Sequence, residues 1–389
     1  MPGRNFLFVP GPTNVPDRIL RAMHRAQEDH RSSAFPILTK GLLADLPKIF
    51  GSAKGQAFIF AASGTAMWET AIVNSLSPGD SVLAVRNGQF SHLFIDAAQR
   101  LGMKVDVIDV AWGDAAPAGV IQERLAADAA GAIKAVLVVH NETATGVTSD
   151  IGAVRAAMNA AKHPSLLLVD GVSSVASLDF RLDEWGVDFA IAGSQKGFMM
   201  PAGLGLLCVG PKGIAAFEHA KCPRAFFDLR DHVKHNADGY FPYTPALAHL
   251  FGLRESLDML LAEGMANVVA RHHRLGEGVR RAVRAWNLGV CAKDPARQSD
   301  TVTAVVVPAG ADSETVRDIA FKKYNLALGA GMGPLRGRAF RIGHVGDLND
   351  LMLLGALSGV EMTLNDAGIP VTPGSGIAAA QSWYRESAR

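Results

Sequence analysis

The chain has 389 residues, 49% of them hydrophobic, with 38 Lys and Arg set against 37 Asp and Glu. That length is enough for two domains and a large buried core. A charge balance this even, with no basic run, argues against nucleic acid or an anionic membrane as a partner, so any bound anion must be met by one or two placed cations.

In chain order, Ala57–Phe60 reads as a strand and Ala66–Leu76 as a helix, then Val82–Val85 as a strand and Ser91–Leu101 as a helix. Short apolar runs continue at Val105–Val110, Ala135–Val139, Leu166–Val169 and Phe189–Ala192. Such alternation predicts βα units around a mostly parallel sheet buried on both faces. Leu204–Val209 follows Lys196 too closely for a helical crossover, so an antiparallel return is expected. A long helix is predicted from Pro245 to Leu261, interrupted at Gly264, with a second from Val268 to Trp286. Beyond lie strands at Val290, Val302–Val307 and Ala339–Ile342, and helices after Ser313 and over Leu351–Ala367. The expected organisation is an α/β fold in three parts: an N-terminal segment (1–20), a large domain (21–262) and a smaller α+β domain (263–389).

In open α/β sheets ligands gather beyond the carboxyl ends of the strands. After the first strand comes Ser63-Gly64-Thr65, opening a helix, which suits a phosphate, although an ordinary N-cap uses the same residues. Phe90 follows the next strand, able to stack on a planar ring or simply to fill a core. Then comes His140-Asn141-Glu142-Thr143, a dense polar run after an apolar strand. Asp170, ending its strand, needs a partner if buried, or caps the following turn. Lys196 in Gly193-Ser194-Gln195-Lys196 sits at the same level; a partly desolvated lysine is nucleophilic, while a surface lysine is the plain alternative. Together these residues supply a helix N-terminus, a stacking aromatic, a carboxylate and an amine. Pyridoxal 5'-phosphate, with its phosphate, flat ring, pyridine nitrogen and aldehyde, asks for those four supports.

The sequence resembles the class V aminotransferases of pyridoxal-phosphate fold type I, and most of all their serine–glyoxylate and alanine–glyoxylate branch. The resemblance covers nearly the whole chain. It is strongest at Phe8-Val9-Pro10-Gly11-Pro12, His140 to Val147, Val169 to Ser174, Gly193-Ser194-Gln195-Lys196, Tyr243-Thr244-Pro245 and Phe340 to His344. It implies a covalent link from Lys196 to the cofactor, Asp170 on the ring nitrogen, Phe90 stacked on the ring and Thr143 on the ring hydroxyl. It assigns the phosphate to Ser63, Gly64, Thr65 and Gln195, and the substrate carboxylate to Arg341, with Gly11 over the mouth. Tyr240 and Thr244, or Tyr243 in place of Tyr240, would reach the phosphate of a neighbouring subunit, which implies a homodimer. The expected reaction moves an amino group from a small L-amino acid, L-serine first, to glyoxylate, with alanine or aspartate as alternative donors. A pyridoxal-phosphate-binding regulator without turnover is the rival from another class. Gln195 before Lys196, where cysteine desulfurases usually carry His, sets the chain apart from those relatives.

Other features are read more plainly. Cys208, Cys222 and Cys291 lie far apart with no C-x-x-C spacing, which argues against a zinc cluster or disulfide framework. Gly374-Ser375-Gly376 imitates a dinucleotide motif without a βαβ unit, and His272-His273 reads as a solvated helix face. His30-Arg31-Ser32 is a candidate lining of the pocket. The first residues resemble no signal peptide, no apolar run approaches the ~20 residues of a membrane span, and Ser387-Ala388-Arg389 only loosely matches a peroxisomal address; cytoplasm is expected.

Overall fold

The computed structural model describes residues 5–387, so the first four residues and the last two of the terminal tripeptide lie outside the described residues. Its larger sheet has seven strands, in spatial order Gln56–Ala61, Leu204–Val209, Phe189–Gly193, Leu166–Asp170, Ile133–Val139, Ser81–Arg86 and Lys104–Asp109. All neighbours pair parallel except Leu204–Val209, which runs antiparallel to both of its partners. The return expected from the short connection after Lys196 is therefore present, and the loop 194–203 that makes it carries the lysine.

Side chains alternate across this sheet. Leu167, Val169, Ala190 and Leu206 join one apolar core, while Leu166, Leu168, Ile191 and Leu207 join another on the opposite face. Burial on both faces explains why these strands read as continuous apolar runs instead of alternating ones.

The smaller sheet has five strands, in order Phe6–Phe8, Leu326–Ala330, Ala339–Gly343, Val302–Val306 and Gly289–Val290. Helices Met265–Ala285, Ser313–Tyr324, Asp350–Asp366 and Ser375–Glu386 contribute to a third core around it. The N-terminal strand Phe6–Phe8 pairs parallel with Leu326–Ala330, so the start of the chain is stitched to its far end. That crossing delivers Pro10 and Gly11 to the edge of the larger sheet. Among the described residues no helix is long and apolar enough to cross a membrane.

Candidate active site

The connections that follow Gln56–Ala61, Ser81–Arg86, Ile133–Val139, Leu166–Asp170 and Phe189–Gly193 leave the same end of the larger sheet. Asp170 is the last residue of Leu166–Asp170 and is 3% exposed. Its Oδ1 accepts from the backbone N–H of Val172 at 2.8 Å, so the local turn role is real as well. Burial dominates its chemistry and pushes the carboxyl up to about 7, a rise that Val172 opposes and the charge of Glu142 reinforces. The buried indole N–H of Trp68 lies beside this carboxylate and favours its charged form, short of a full hydrogen bond.

Lys196 is buried in the loop after Phe189–Gly193. Its ammonium donates to the carbonyl of Pro10. Desolvation, aided by the Arg341 charge and opposed by Asp170, lowers its pKa to about 8. A lysine so placed is partly neutral near neutrality, as a nucleophile must be. Gly11 closes over it: a Cβ there would come within 2.5 Å of Nζ and 2.6 Å of Cε, and the backbone φ of +118° itself favours glycine.

Arg341 comes from Ala339–Gly343 of the smaller sheet and is 6% exposed. Its Nε donates to the carbonyl of Ala330 (2.7 Å) and its Nη1 to that of Thr143 (3.0 Å). Burial lowers its pKa to about 10, and it stays a cation. No carboxylate pairs with it among the described residues, which leaves donors for an incoming anion. Thr143 itself gives its hydroxyl to Ser173 at 2.8 Å.

Ser63 precedes helix Gly64–Ser75 but makes no side-chain cap bond. A Cβ on Gly193 would sit 3.0 Å from Gln195 Oε1 and 3.4 Å from the Gly64 nitrogen, so these groups crowd one cradle, and Gln195 Oε1 is buried without a partner. A helix N-terminus offers its first N–H groups to a phosphate, and the Gln195 amide beside it can turn its NH2 towards one.

The match to the aminotransferase class-V family model covers residues 5–333. The chain belongs to the class-V aminotransferases. As a class-V aminotransferase it uses pyridoxal 5'-phosphate, and the residues fit that group: an unpaired cradle for phosphate, a buried acid for a ring nitrogen and a desolvated amine. Among similar class-V enzymes, the serine–glyoxylate aminotransferase of Methylorubrum extorquens is 58% identical over 99% of this chain and 97% of its own length. The L-aspartate–glyoxylate aminotransferase of Paracoccus denitrificans is 49% identical over 100% and 98%. Among solved structures, the ureidoglycine–glyoxylate aminotransferase of Bacillus subtilis superposes with a TM-score of 0.91 at 25% identity, covering 99% of each chain.

In this class-V aminotransferase, the remaining expected residues fall into two groups. Phe90 is half-buried on helix Gln89–Arg100, its backbone N–H held by Glu142 at 3.2 Å. Tyr240, Tyr243 and Thr244 are not tied to Lys196 by any hydrogen bond. Tyr240 instead donates to the carbonyl of Ser32 (3.3 Å), and Tyr243 stacks on Phe226 with ring centroids 5.1 Å apart. Tyr243 and Thr244 are exposed, and Arg31 is exposed beside the half-buried His30 and Ser32.

One reading is corrected. His272 is buried, not solvated: its Nδ1 faces the Val268 carbonyl and its Nε2 accepts from Gly346, while only His273 is exposed, paired with Asp300. Gly374-Ser375-Gly376 serves structure without a ligand: Gly374 has φ +84°, a Cβ on Gly376 would meet the Trp286 indole at 2.4 Å, and both amides donate to buried Glu361 at 2.7 Å. Pro10, Trp68 and Ser173 are site neighbours that the sequence reading did not assign, while Glu142, expected with Asn141 to organise its loop, binds the Ala144 N–H within it. The polar run 140–145 was the signal for Glu142; a tryptophan four residues after Gly64 carried none.

Proposed function

We propose that the protein transfers the amino group of L-serine to glyoxylate, giving hydroxypyruvate and glycine. The observation that carries the reading is a buried lysine beside a buried aspartate, with an unpaired buried arginine supplied by the second sheet. The name of the Methylorubrum relative supports serine as donor; that of the Paracoccus relative keeps aspartate as the second reading, with alanine beside it.

When bound, pyridoxal phosphate supplies a carbon that takes up the amino group and a ring that accepts the electron pair left by the departing α-proton. Lys196 would hold the cofactor, and its Nζ, when free, would take the α-proton of the donor and hand it on. Asp170 keeps positive charge at the ring nitrogen, Phe90 covers one ring face and Thr143 bonds the ring hydroxyl. Ser63, Gly64, Thr65 and Gln195 hold the phosphate. Arg341 meets the substrate carboxylate with its planar fork, a task for which lysine is a poor substitute. Gly11 lets the N-terminal segment lie over the mouth.

The working molecule is a cytoplasmic homodimer. Exposed Tyr243 and Thr244, with Tyr240, serve the neighbouring subunit's phosphate. Its division is 1–20, 21–262 and 263–389, with the first segment acting as a cover joined to the small sheet. No nucleic acid or membrane partner is expected.

An absorbance scan tests the reading. L-serine should bleach the visible band of the loaded protein, and glyoxylate should restore it. A band indifferent to serine, alanine and aspartate would favour the regulator without turnover.

A further inference from the structure

We infer that Glu142 is a positioning residue of this site, a single buried carboxylate that fixes both the segment bearing Phe90 and the loop whose carbonyl holds Arg341. The inference rests on the roles proposed above for Phe90, Thr143 and Arg341. Glu142 is fully buried, and its two oxygens accept from the Phe90 N–H (3.2 Å), the Ser91 N–H (2.9 Å), the Ser91 hydroxyl (3.1 Å) and the Ala144 N–H (3.1 Å). Phe90 and Ser91 lie in the first turn of Gln89–Arg100, whose preceding residue, Gly88, has no side chain with which to cap it. The cap therefore comes from another strand, 51 residues away at Ser91.

Gly88 shows that the space is reserved. Its φ of 174° is extended backbone that any residue adopts, so conformation does not require glycine. A Cβ would instead collide with the Cγ and carboxyl group of Glu142. On the far side, the next residue in the chain, Thr143, gives its hydroxyl to Ser173 and its carbonyl to Arg341. Two adjacent residues thus tie the stacking ring, the ring-hydroxyl ligand and the carboxylate clamp into one unit. The charge of Glu142 also favours the cationic form of Arg341. A helix cap alone needs no fully buried carboxylate, since an exposed Asp312 caps Ser313–Tyr324 without one.

The experiment uses the loaded enzyme and five variants: Glu142→Gln, Gly88→Ala, Arg341→Ala, the Glu142→Gln and Arg341→Ala double variant and, as an ordinary capping control, Asp312→Ala. Two quantities are read, the visible circular dichroism of the bound cofactor and the separate kcat and KM for L-serine. Glu142→Gln and Gly88→Ala should both alter the dichroism and raise KM about tenfold, the size of one charge-assisted hydrogen bond. In the Arg341→Ala background, Glu142→Gln should raise KM no further. Asp312→Ala should leave both readouts unmoved. Should Glu142→Gln fail to fold, Gly88→Ala decides, because it keeps every polar group and only displaces the carboxylate. Wild-type dichroism and KM in folded Glu142→Gln or Gly88→Ala would overturn the inference while the clamp stands. An unchanged KM in Arg341→Ala would instead overturn the clamp itself.

Discussion

Lys196 and Asp170 have exchanged the usual habits of their side chains. Burial moves the amine down to about 8 and the acid up to about 7, so both titrate near working pH. Each charge favours the charged form of the other, yet desolvation outweighs that attraction in both. The consequence for cofactor attachment has a definite sign. Only the neutral amine bears a lone pair, so the rate at which cofactor-free protein combines with pyridoxal phosphate should rise about tenfold per pH unit below the lysine pKa. It should level off above about 8. Stopped-flow absorbance measures it; a rate still climbing steadily through pH 10 would mean an ordinary, solvated lysine. Of these residues, Asp170 was readable because it ends an apolar strand, and Lys196 because it follows one within three residues, each with a group that burial penalises. Trp68 and Pro10 were not, since an indole inside a helix and a backbone carbonyl leave no chemical mark on the sequence.

The elements of the larger sheet announce themselves through uninterrupted apolar runs, which only two-sided burial rewards. The direction of one of them follows from connection length, as the antiparallel Leu204–Val209 illustrates; their spatial order does not. Several elements went unread, helices Phe35–Ile49, Ile151–Ala160 and Leu229–Asp238 among them. Phe6–Phe8 is short and draws its stability from pairing with Leu326–Ala330, more than 300 residues away in sequence, and that partner was itself missed as an Ala- and Gly-rich run. The last helix, Ser375–Glu386, starts on Gly-Ser-Gly and looks like a loop until Glu361 is seen capping it. Glu361 is 3% exposed and also receives the Trp286 indole N–H at 2.9 Å. Glu361→Ala should therefore strand two buried donors, the Trp286 indole and the Gly376 N–H, and cost about 3 kcal/mol, seen as a fall in denaturant midpoint. A change within 0.5 kcal/mol would show the cap to be dispensable.

The chain passes from the smaller sheet to the larger and back again, and the proposed active site draws on both. Lys196 and Asp170 come from the larger sheet, Arg341 from the smaller, and Gly11 from the segment between the first strand and the rest. Low net charge means that recognition of a small anion depends on these placed groups and not on a surface field. Exposure of Tyr243 and Thr244 next to a stacked Phe226, itself 41% exposed, leaves an aromatic face turned outwards. Sedimentation at micromolar concentration should give the mass of a dimer, and Thr244→Ala should weaken cofactor retention on dialysis. A monomer that retains cofactor and full turnover would contradict the shared site.

The most direct trial is chemical. Protein loaded with pyridoxal phosphate is reduced with borohydride, digested and mapped by mass spectrometry. A single phosphopyridoxyl group on Lys196 is the expected result; its absence there, or its presence only on another lysine, would contradict the role assigned to that residue.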